Sequence, residues 1–171
     1  MAEDLTGYKY KGEDRVFLVE IEDELGDKVL IRPFDQTGGS HTIEADELEV
    51  STKDRQGTDY ADVTETRSFE GEIVHGDIFI DAIKDKIRNK EFVKIYDVDL
   101  ITNKAEYGMH MVSNFDMSFD HGDFATYSLD ANLFGKPCKT TLTEIPEGAP
   151  ALGGMDCDGN DDGEDGGTVE G

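Results

Sequence analysis

The stretch DCDGNDDGEDGG, residues 156–167, contains the residue types that could coordinate a metal ion. Its spacing matches the first half of a calcium-binding loop, whose positions one, three, five and six fall on Asp158, Asn160, Asp162 and Gly163. Position twelve, where such loops place a bidentate Glu, is Val169. No amphipathic helix is predicted on either side. We therefore interpret the stretch as a solvated acidic segment, in which Asp158, Asn160 and Asp162 are metal-ligand candidates without the closing Glu.

No other part of the sequence has the spacing of a catalytic or metal-binding motif. Ser, His and Asp are all present, but no GxSxG elbow places a nucleophile beside a base. The histidines lie on separate segments and lack the HxxxH or HExxH spacing that brings two imidazoles to one helix face. They are His41, His75, His110 and His121. We predict a protein that is not an enzyme and has no cofactor.

The acidic composition limits the partners of the chain. Its 171 residues include 40 Asp and Glu against 16 Lys and Arg, for a formal net charge of -24 at pH 7. Because such a charge repels phosphates, nucleic-acid binding by phosphate neutralisation is disfavoured. Cys138 and Cys157 do not have the spacing of a disulfide scaffold. There is no apolar run of signal-peptide or membrane-span length, so we expect cytoplasmic synthesis and no membrane contact.

Three segments of different composition divide the chain. Residues 1–15 are mostly polar and are predicted to form an N-terminal arm. Residues 16–145 are long enough for one domain with a hydrophobic core. Within this body, residues 41–66 are too polar for a core and are predicted to form a long loop or a protruding hairpin. Residues 146–171 hold eight acidic residues, many Gly and no Lys or Arg, which predicts a flexible tail.

The body is predicted to be mainly β, with one helix. Strand patterns occupy residues 16–22, 28–34, 68–74, 91–101 and 138–145. Residues 77–90 change to a helical period, with Asp77 as a cap and with Ile80, Ile83 and Ile87 on one face. Four bases in its second half fit either a solvated helix face or a contact with a neighbouring subunit. They are Lys84, Lys86, Arg88 and Lys90.

Two long alternating segments, joined by an HGD turn, predict a β-hairpin over residues 109–133. Its first strand is expected to place Met109, Met111, Phe115, Met117 and Phe119 on one face and His110, Asn114, Asp116, Ser118 and Asp120 on the other. Its second strand alternates apolar residues with polar ones that include Asp130. With the other strands and the helix, this pattern predicts an antiparallel β-sandwich or barrel.

The order of these elements resembles the major tail protein family of long-tailed phages of Gram-positive bacteria, the lactococcal-phage type of tail tube subunit. The resemblance covers residues 59–144. Its pieces are GEIVHGD, the helix DIFIDAIKDKIRNK, the strand EFVKIYDVDL, the hairpin GMHMVSNFDMSFDHGDFATYSLDANLFGKP and the closing TLTE. Residues 1–58 match less clearly, and the acidic tail lies outside the resemblance.

The resemblance implies a β-sandwich-like subunit with a flanking helix. Such subunits form hexameric rings that stack into the virion tail tube, through which DNA passes without specific binding. The implied partners are other copies of the chain and the tape-measure, tail-terminator and distal tail proteins. Asp116, Asp120 and Asp130 are then candidates for the lumen wall, where they would repel DNA phosphates. The alternative is an acidic, calcium-dependent binding module with a β-sandwich body.

Overall fold

The computed structural model describes residues 4–148 of the chain. It confirms the predicted mainly β fold with one flanking helix. A short 3-10 helix, Gly12–Asp14, precedes the first strand. The elements are β1 (Arg15–Glu22), β2 (Lys28–Ile31), β3 (Gln36–Ser51), β4 (Gln56–Glu72), α1 (Phe79–Arg88), β5 (Val93–Asp99), β6 (Lys104–Ser118) and β7 (Thr126–Thr141).

The seven strands form one antiparallel sheet with the order β2-β1-β5-β6-β7-β4-β3. Four of its six pairings join strands that are consecutive among the strands of the chain: β1 with β2, β3 with β4, β5 with β6, and β6 with β7. The pairings of β1 with β5 and of β4 with β7 bring distant parts of the chain together. Residues 41–66, for which a loop or a hairpin was expected, are the outer part of the β3–β4 hairpin.

The sheet curls until β3 faces β1, although the two strands are far apart in the strand order. The Gln36 side chain bridges them: its Oε1 accepts the Phe17 N–H (3.0 Å) and its Nε2 donates to the Phe17 carbonyl (2.8 Å). Next to this bridge, a Cβ on Gly39 would lie 2.4 Å from Phe17 Cε2. Glycine at position 39 therefore permits the close approach that closes the curl.

The main core lies between the inner face of the curled sheet and helix α1. Phe17 stacks on Phe69 with 5.0 Å between ring centroids, and Phe79 of the helix lies 5.3 Å from the Tyr127 ring. The helix is shorter than the predicted 77–90, but the predicted apolar stripe faces this core. Asp77 accepts the backbone N–H of Phe79 (3.0 Å), as a residue at a helix N-terminus does.

A second apolar cluster covers part of the opposite face of the sheet. It contains Val16, Leu18, Val98 and Ala105, with Leu142 and Ile145 packed against it from the chain after β7. From the N-terminal side, Tyr10 Oη donates to Asp99 Oδ2 (2.8 Å). The segments before β1 and after β7 are therefore both attached to the body.

Strand β6 does not keep the single alternation expected for residues 109–119, because of a register shift between Val112 and Asn114. Before the shift, His110 is fully buried, whereas Met109 and Met111 are 40% and 49% exposed. After it, Phe115 and Met117 pack against the core. The expectation that all these Met and Phe residues share one face is wrong, since the extra residue of a β-bulge exchanges the two faces of a strand.

The expected end of the hairpin at residue 133, ahead of a separate strand over residues 138–145, is also wrong, because β7 continues to Thr141. The register shifts where Tyr107 and Met109 of β6 pair with Cys138 and Phe134 of β7. Gly135 has a φ of 81° there. Glycine adopts this left-handed conformation without steric cost, so the chain forms an irregularity and stays in the strand.

Candidate assembly surfaces

The polar face predicted for the β6–β7 hairpin extends over four neighbouring strands. Residues that are directly paired in an antiparallel sheet share a face. Asp130 is paired with Ser68 and Asn114, and Asp116 with Ser128. Ser68 Oγ donates to Asp130 Oδ1 (2.6 Å). The resulting rows run across β3, β4, β7 and β6: Ser40, Ser68, Asp130 and Asn114 in one, and Gly38, Glu70, Ser128 and Asp116 in the next.

Two of the three aspartates predicted for the lumen, Asp116 and Asp130, therefore lie on one face of the sheet. Asp120 comes after β6 has ended, in the exposed connection to β7, where Ser118 Oγ donates to its Oδ2 (3.3 Å). The structure therefore places Asp116 and Asp130 on the same face of the sheet and Asp120 at the edge of that face.

The outer part of the β3–β4 hairpin extends beyond the rest of the sheet. Strand β4 pairs with β7 over residues 66–72, and its preceding residues pair with β3. Large apolar side chains are exposed on this projection: Ile43 (62%), Leu48 (52%), Tyr60 (76%) and Val63 (59%). A two-stranded hairpin with exposed apolar residues is only marginally stable in water, so the projection is suited to binding another surface.

Three of the four bases on or next to helix α1 form ion pairs within the chain. The pairs are Lys84–Asp81 (3.8 Å), Lys86–Glu91 (2.9 Å) and Arg88–Asp85 (3.8 Å). Lys86 Nζ also lies 3.6 Å from Glu22 Oε1, and 17% of the Lys86 side chain is exposed. Lys90 follows the helix with a φ of 57°, is exposed, and makes no ion pair among residues 4–148.

A network of charged side chains is buried on the inner face of the sheet. Arg67 of β4 and His110 of β6 are both fully buried. Arg67 Nη1 donates to His110 Nε2 (3.1 Å), and His110 Nδ1 donates to the Gly108 carbonyl (2.8 Å). These bonds require the neutral imidazole with its proton on Nδ1. Burial lowers the pKa of His110 from 6.5 to about 4, against the opposing effect of the Gly108 carbonyl.

The same guanidinium joins the carboxylates of neighbouring strands. Arg67 Nη2 lies 3.1 Å from Glu65 Oε1 and 3.5 Å from Glu106 Oε2. His41 connects this group to β5, because its Nε2 lies 2.5 Å from Glu65 Oε1 and its Nδ1 lies 3.5 Å from Asp97 Oδ2. Arg15 Nη2 lies 2.8 Å from Asp97 Oδ1. The network therefore links β1, β3, β4, β5 and β6.

Part of this network has the residue types of a metal site. Within residues 4–148, His41, Glu65 and Glu106 each place a ligand atom within 4.8 Å of the others. The Arg67 guanidinium already lies beside both carboxylates and supplies the positive charge that a cation would bring. The arrangement is therefore a charge-paired structural network, which fixes the root of the projecting hairpin against β5 and β6.

The sequence patterns do not reveal this network. Arg67 belongs to no motif, and histidines without motif spacing are expected to be ordinary surface or turn residues, which is wrong for the fully buried His110. One signal was available, since alternation puts Arg67 on the face of the buried Phe69, two residues later. The partners of Arg67 come from other strands, and their proximity depends on the pairing of β4 with β7 and on the curl of the sheet.

The calcium-loop candidates Asp158, Asn160 and Asp162 lie outside the described residues, as does Cys157. Cys138 is exposed and has a free thiol. Within residues 4–148, no helix has the length and apolar character needed to cross a membrane.

Most of the chain matches the model of one protein family. Residues 9–139 match a family model described as phage tail tube protein. No curated protein sequence matches the chain.

Solved structures with a similar fold come from tails and injection machines. The tail of an empty gene transfer agent particle, determined with C6 symmetry, has a TM-score of 0.64 and 14% identity, covering 78% of this chain and all of the other. The SPP1 tail tube has a TM-score of 0.59 and 17% identity, covering 80% and 81%. The sheath-tube complex of an extracellular contractile injection system has a TM-score of 0.54 and 16% identity, covering 80% and 94%. Sequence family and fold agree, and the chain belongs to the phage tail tube protein family.

Proposed function

We propose that this chain is a structural virion protein, the tail tube subunit of a long-tailed phage of Gram-positive bacteria, of the lactococcal-phage type. Its copies assemble into hexameric rings, and the stacked rings form the tube that conducts DNA during ejection. The match to the tail tube family over residues 9–139 carries the proposal. The fold shared with the SPP1 tail tube and with the C6-symmetric gene transfer agent tail supports it. The role is structural and not catalytic.

The lumen wall in this proposal is the polar face of β3, β4, β7 and β6. Asp116 and Asp130 lie on that face, and Asp120 lies at its margin. Rows of hydroxyl and carboxylate groups hold water and repel phosphates, so DNA slides past without adhering. The opposite face of the same strands contains the core residues Phe69, Leu129 and Ala131. Beyond the bulge after Val112, the sheet has one apolar face and one polar, acidic face, which suits the wall of a water-filled channel.

Assembly must overcome electrostatic repulsion between subunits. Six copies of -24 give a ring with a formal charge of roughly -144. Apolar contacts and screening by salt have to offset this repulsion. Exposed bases reduce it locally. Lys90 and Arg88 are better placed for a subunit contact than Lys86, because the Lys86 side chain is only 17% exposed and lies between two acids.

The remaining partners follow from a place in the virion tail. Tape-measure, tail-terminator and distal tail proteins would contact the tube along its length and at its ends. Residues 1–15 and 41–66 are the segments that we assign to contacts between subunits or between rings. We place the acidic residues 146–171 on the outer surface of the tube, because an extension into the lumen would obstruct DNA. Synthesis takes place in the host cytoplasm.

Electron microscopy of the purified protein tests the proposal. We expect rings or tubes with six-fold symmetry at high protein concentration and high salt. Persistent monomers under these conditions, together with micromolar calcium binding in calorimetry, would instead favour the calcium-dependent binding module.

A further inference from the structure

The ring of His41 lies between two carboxylates. Its Nε2 is 2.5 Å from Glu65 Oε1, and its Nδ1 is 3.5 Å from Asp97 Oδ2. The side chains of His41, Glu65 and Asp97 are 23%, 13% and 4% exposed, so water screens these contacts only weakly. A neutral imidazole has a proton on one nitrogen only and would turn the lone pair of the other toward a carboxylate. Only the doubly protonated imidazolium suits both contacts.

The charges of the network also call for a proton on His41. Arg15 Nη2 contacts Oδ1 of Asp97 and leaves Oδ2 facing His41. Lys139 Nζ lies 3.9 Å from Glu106 Oε1, but its side chain is 83% exposed and contributes little. A poorly solvated carboxylate without a countercharge is unfavourable. Apart from His41 and Lys139, the charged members among residues 4–148 are three carboxylates and two guanidinium groups: Glu65, Asp97, Glu106, Arg67 and Arg15.

The second imidazole of the network does not supply the missing positive charge. His110 Nε2 accepts a hydrogen bond from Arg67, and burial lowers the pKa of His110 to about 4. His110 is therefore neutral above pH 5. Imidazole is the side chain that ordinarily changes its charge between pH 5 and 8, so His41 is the member of the network that can respond to pH in this range.

His41 lies where the projecting hairpin leaves the body of the sheet. It is paired with Arg67 of β4. Strand β4 pairs with β7 only from Thr66 onward, and its earlier residues, including Glu65, pair with β3. Asp97 belongs to β5, on the other side of the curl. The contact of His41 with Asp97 therefore connects the root of the hairpin to the body.

We propose that His41, Glu65 and Asp97 form a proton-dependent contact, the His41 bridge, which holds the root of the projecting hairpin on β5. The imidazolium joins both carboxylates across the curl. When the ring loses a proton, Nδ1 turns a lone pair toward Asp97, and the root of the hairpin separates more readily from β5. The bridge thus stabilises the hairpin root at acidic pH and is lost as the pH rises. This direction is opposite to that of His110. The bridge belongs to the single subunit and does not depend on tube assembly.

Proton NMR of the full chain, kept unassembled at low salt, tests the charge state of His41. At pH 6 we expect separate resonances for both ring N–H protons of His41, because both are held against carboxylates. The ring protons of the exposed His75 and His121 should exchange with water too fast to be seen. At pH 8.5 one of the two His41 resonances should disappear. A single His41 ring proton at pH 6 would overturn the proposal.

Amide hydrogen exchange tests whether this proton holds the hairpin root. From pH 6 to pH 8.5, the protection of amides 40–44 and 62–66, corrected for the intrinsic exchange rates, should fall about tenfold, as for the loss of one hydrogen bond to a charged group. His41→Gln does not titrate and should show the same protection at both pH values. The matched control His121→Gln removes an exposed histidine and should behave like the parent. Protection that is independent of pH in the parent, or equally dependent on pH in His41→Gln, would overturn the proposal.

Discussion

Protonation of the buried His110 should destabilise the subunit in a defined pH range. Burial lowers the pKa of this imidazole from 6.5 to about 4. Between these values the unfolded chain binds a proton that the folded chain does not, so the free energy of unfolding falls as the pH falls. Integration from pH 7.5 to pH 5.0 gives a loss of about 2 kcal/mol from this residue, and the complete loss below pH 4 is about 3 kcal/mol.

The geometry explains the sign of this effect. In the folded chain, His110 Nε2 accepts a hydrogen bond from Arg67, and a second proton would replace this bond with repulsion between two cations. Glu65 and His41 also face the imidazole, the carboxylate favouring its protonation and the second imidazole opposing it. Gly108 contributes a carbonyl acceptor that favours the charged form, but desolvation outweighs it.

Urea unfolding of the unassembled subunit at several pH values measures this loss, with His110→Gln as the comparison. Glutamine can hydrogen-bond but does not titrate, so the stability difference between parent and variant should shrink by about 2 kcal/mol between pH 7.5 and pH 5.0. Titration of the many surface acids affects both proteins equally and cancels in this difference. A difference that is independent of pH would refute the assignment of a neutral, buried His110.

Three further predictions follow from the packing and the charge. Gly39→Ala should lower the free energy of unfolding by about 1–3 kcal/mol, because the new Cβ would clash with Phe17. Gly57 has open space around it, so Gly57→Ala should change the free energy of unfolding by no more than about 0.5 kcal/mol. Thermal unfolding of both variants measures the difference. Arg67→Met should cost about 3–5 kcal/mol in urea unfolding, because it leaves buried partners unpaired, against about 0–1 kcal/mol for the exposed Arg88→Ala. Tube formation, followed by light scattering, should become easier as ionic strength rises, and assembly indifferent to salt would show that the charges lie too far apart to matter.

Local patterns in the sequence were sufficient to predict which segments form strands and which segment forms the helix. The spacing of Ile80, Ile83 and Ile87 predicted the helix, and the alternation in residues 126–132 predicted the face of β7 that carries Asp130. These features depend on neighbours within one turn or one strand. The polar face with Asp116 and Asp130 could be predicted from the sequence for the same reason.

Features that depend on contacts between distant strands could not be predicted in this way. The bulge after Val112 exchanges the faces of β6, and hydropathy alternation alone does not reveal a shift of one residue. The network around Arg67 requires the β4–β7 pairing and the curl that brings His41 beside Asp97. The burial of His110 follows from both features.

Cryo-electron microscopy of tubes assembled from the purified full-length protein tests the central claim most directly. We predict rings of six subunits, with Asp116 and Asp130 on the wall of the lumen and the core residues of β7 behind them. Tubes in which these two aspartates face outward, or a protein that remains monomeric at high concentration and high salt, would contradict the account.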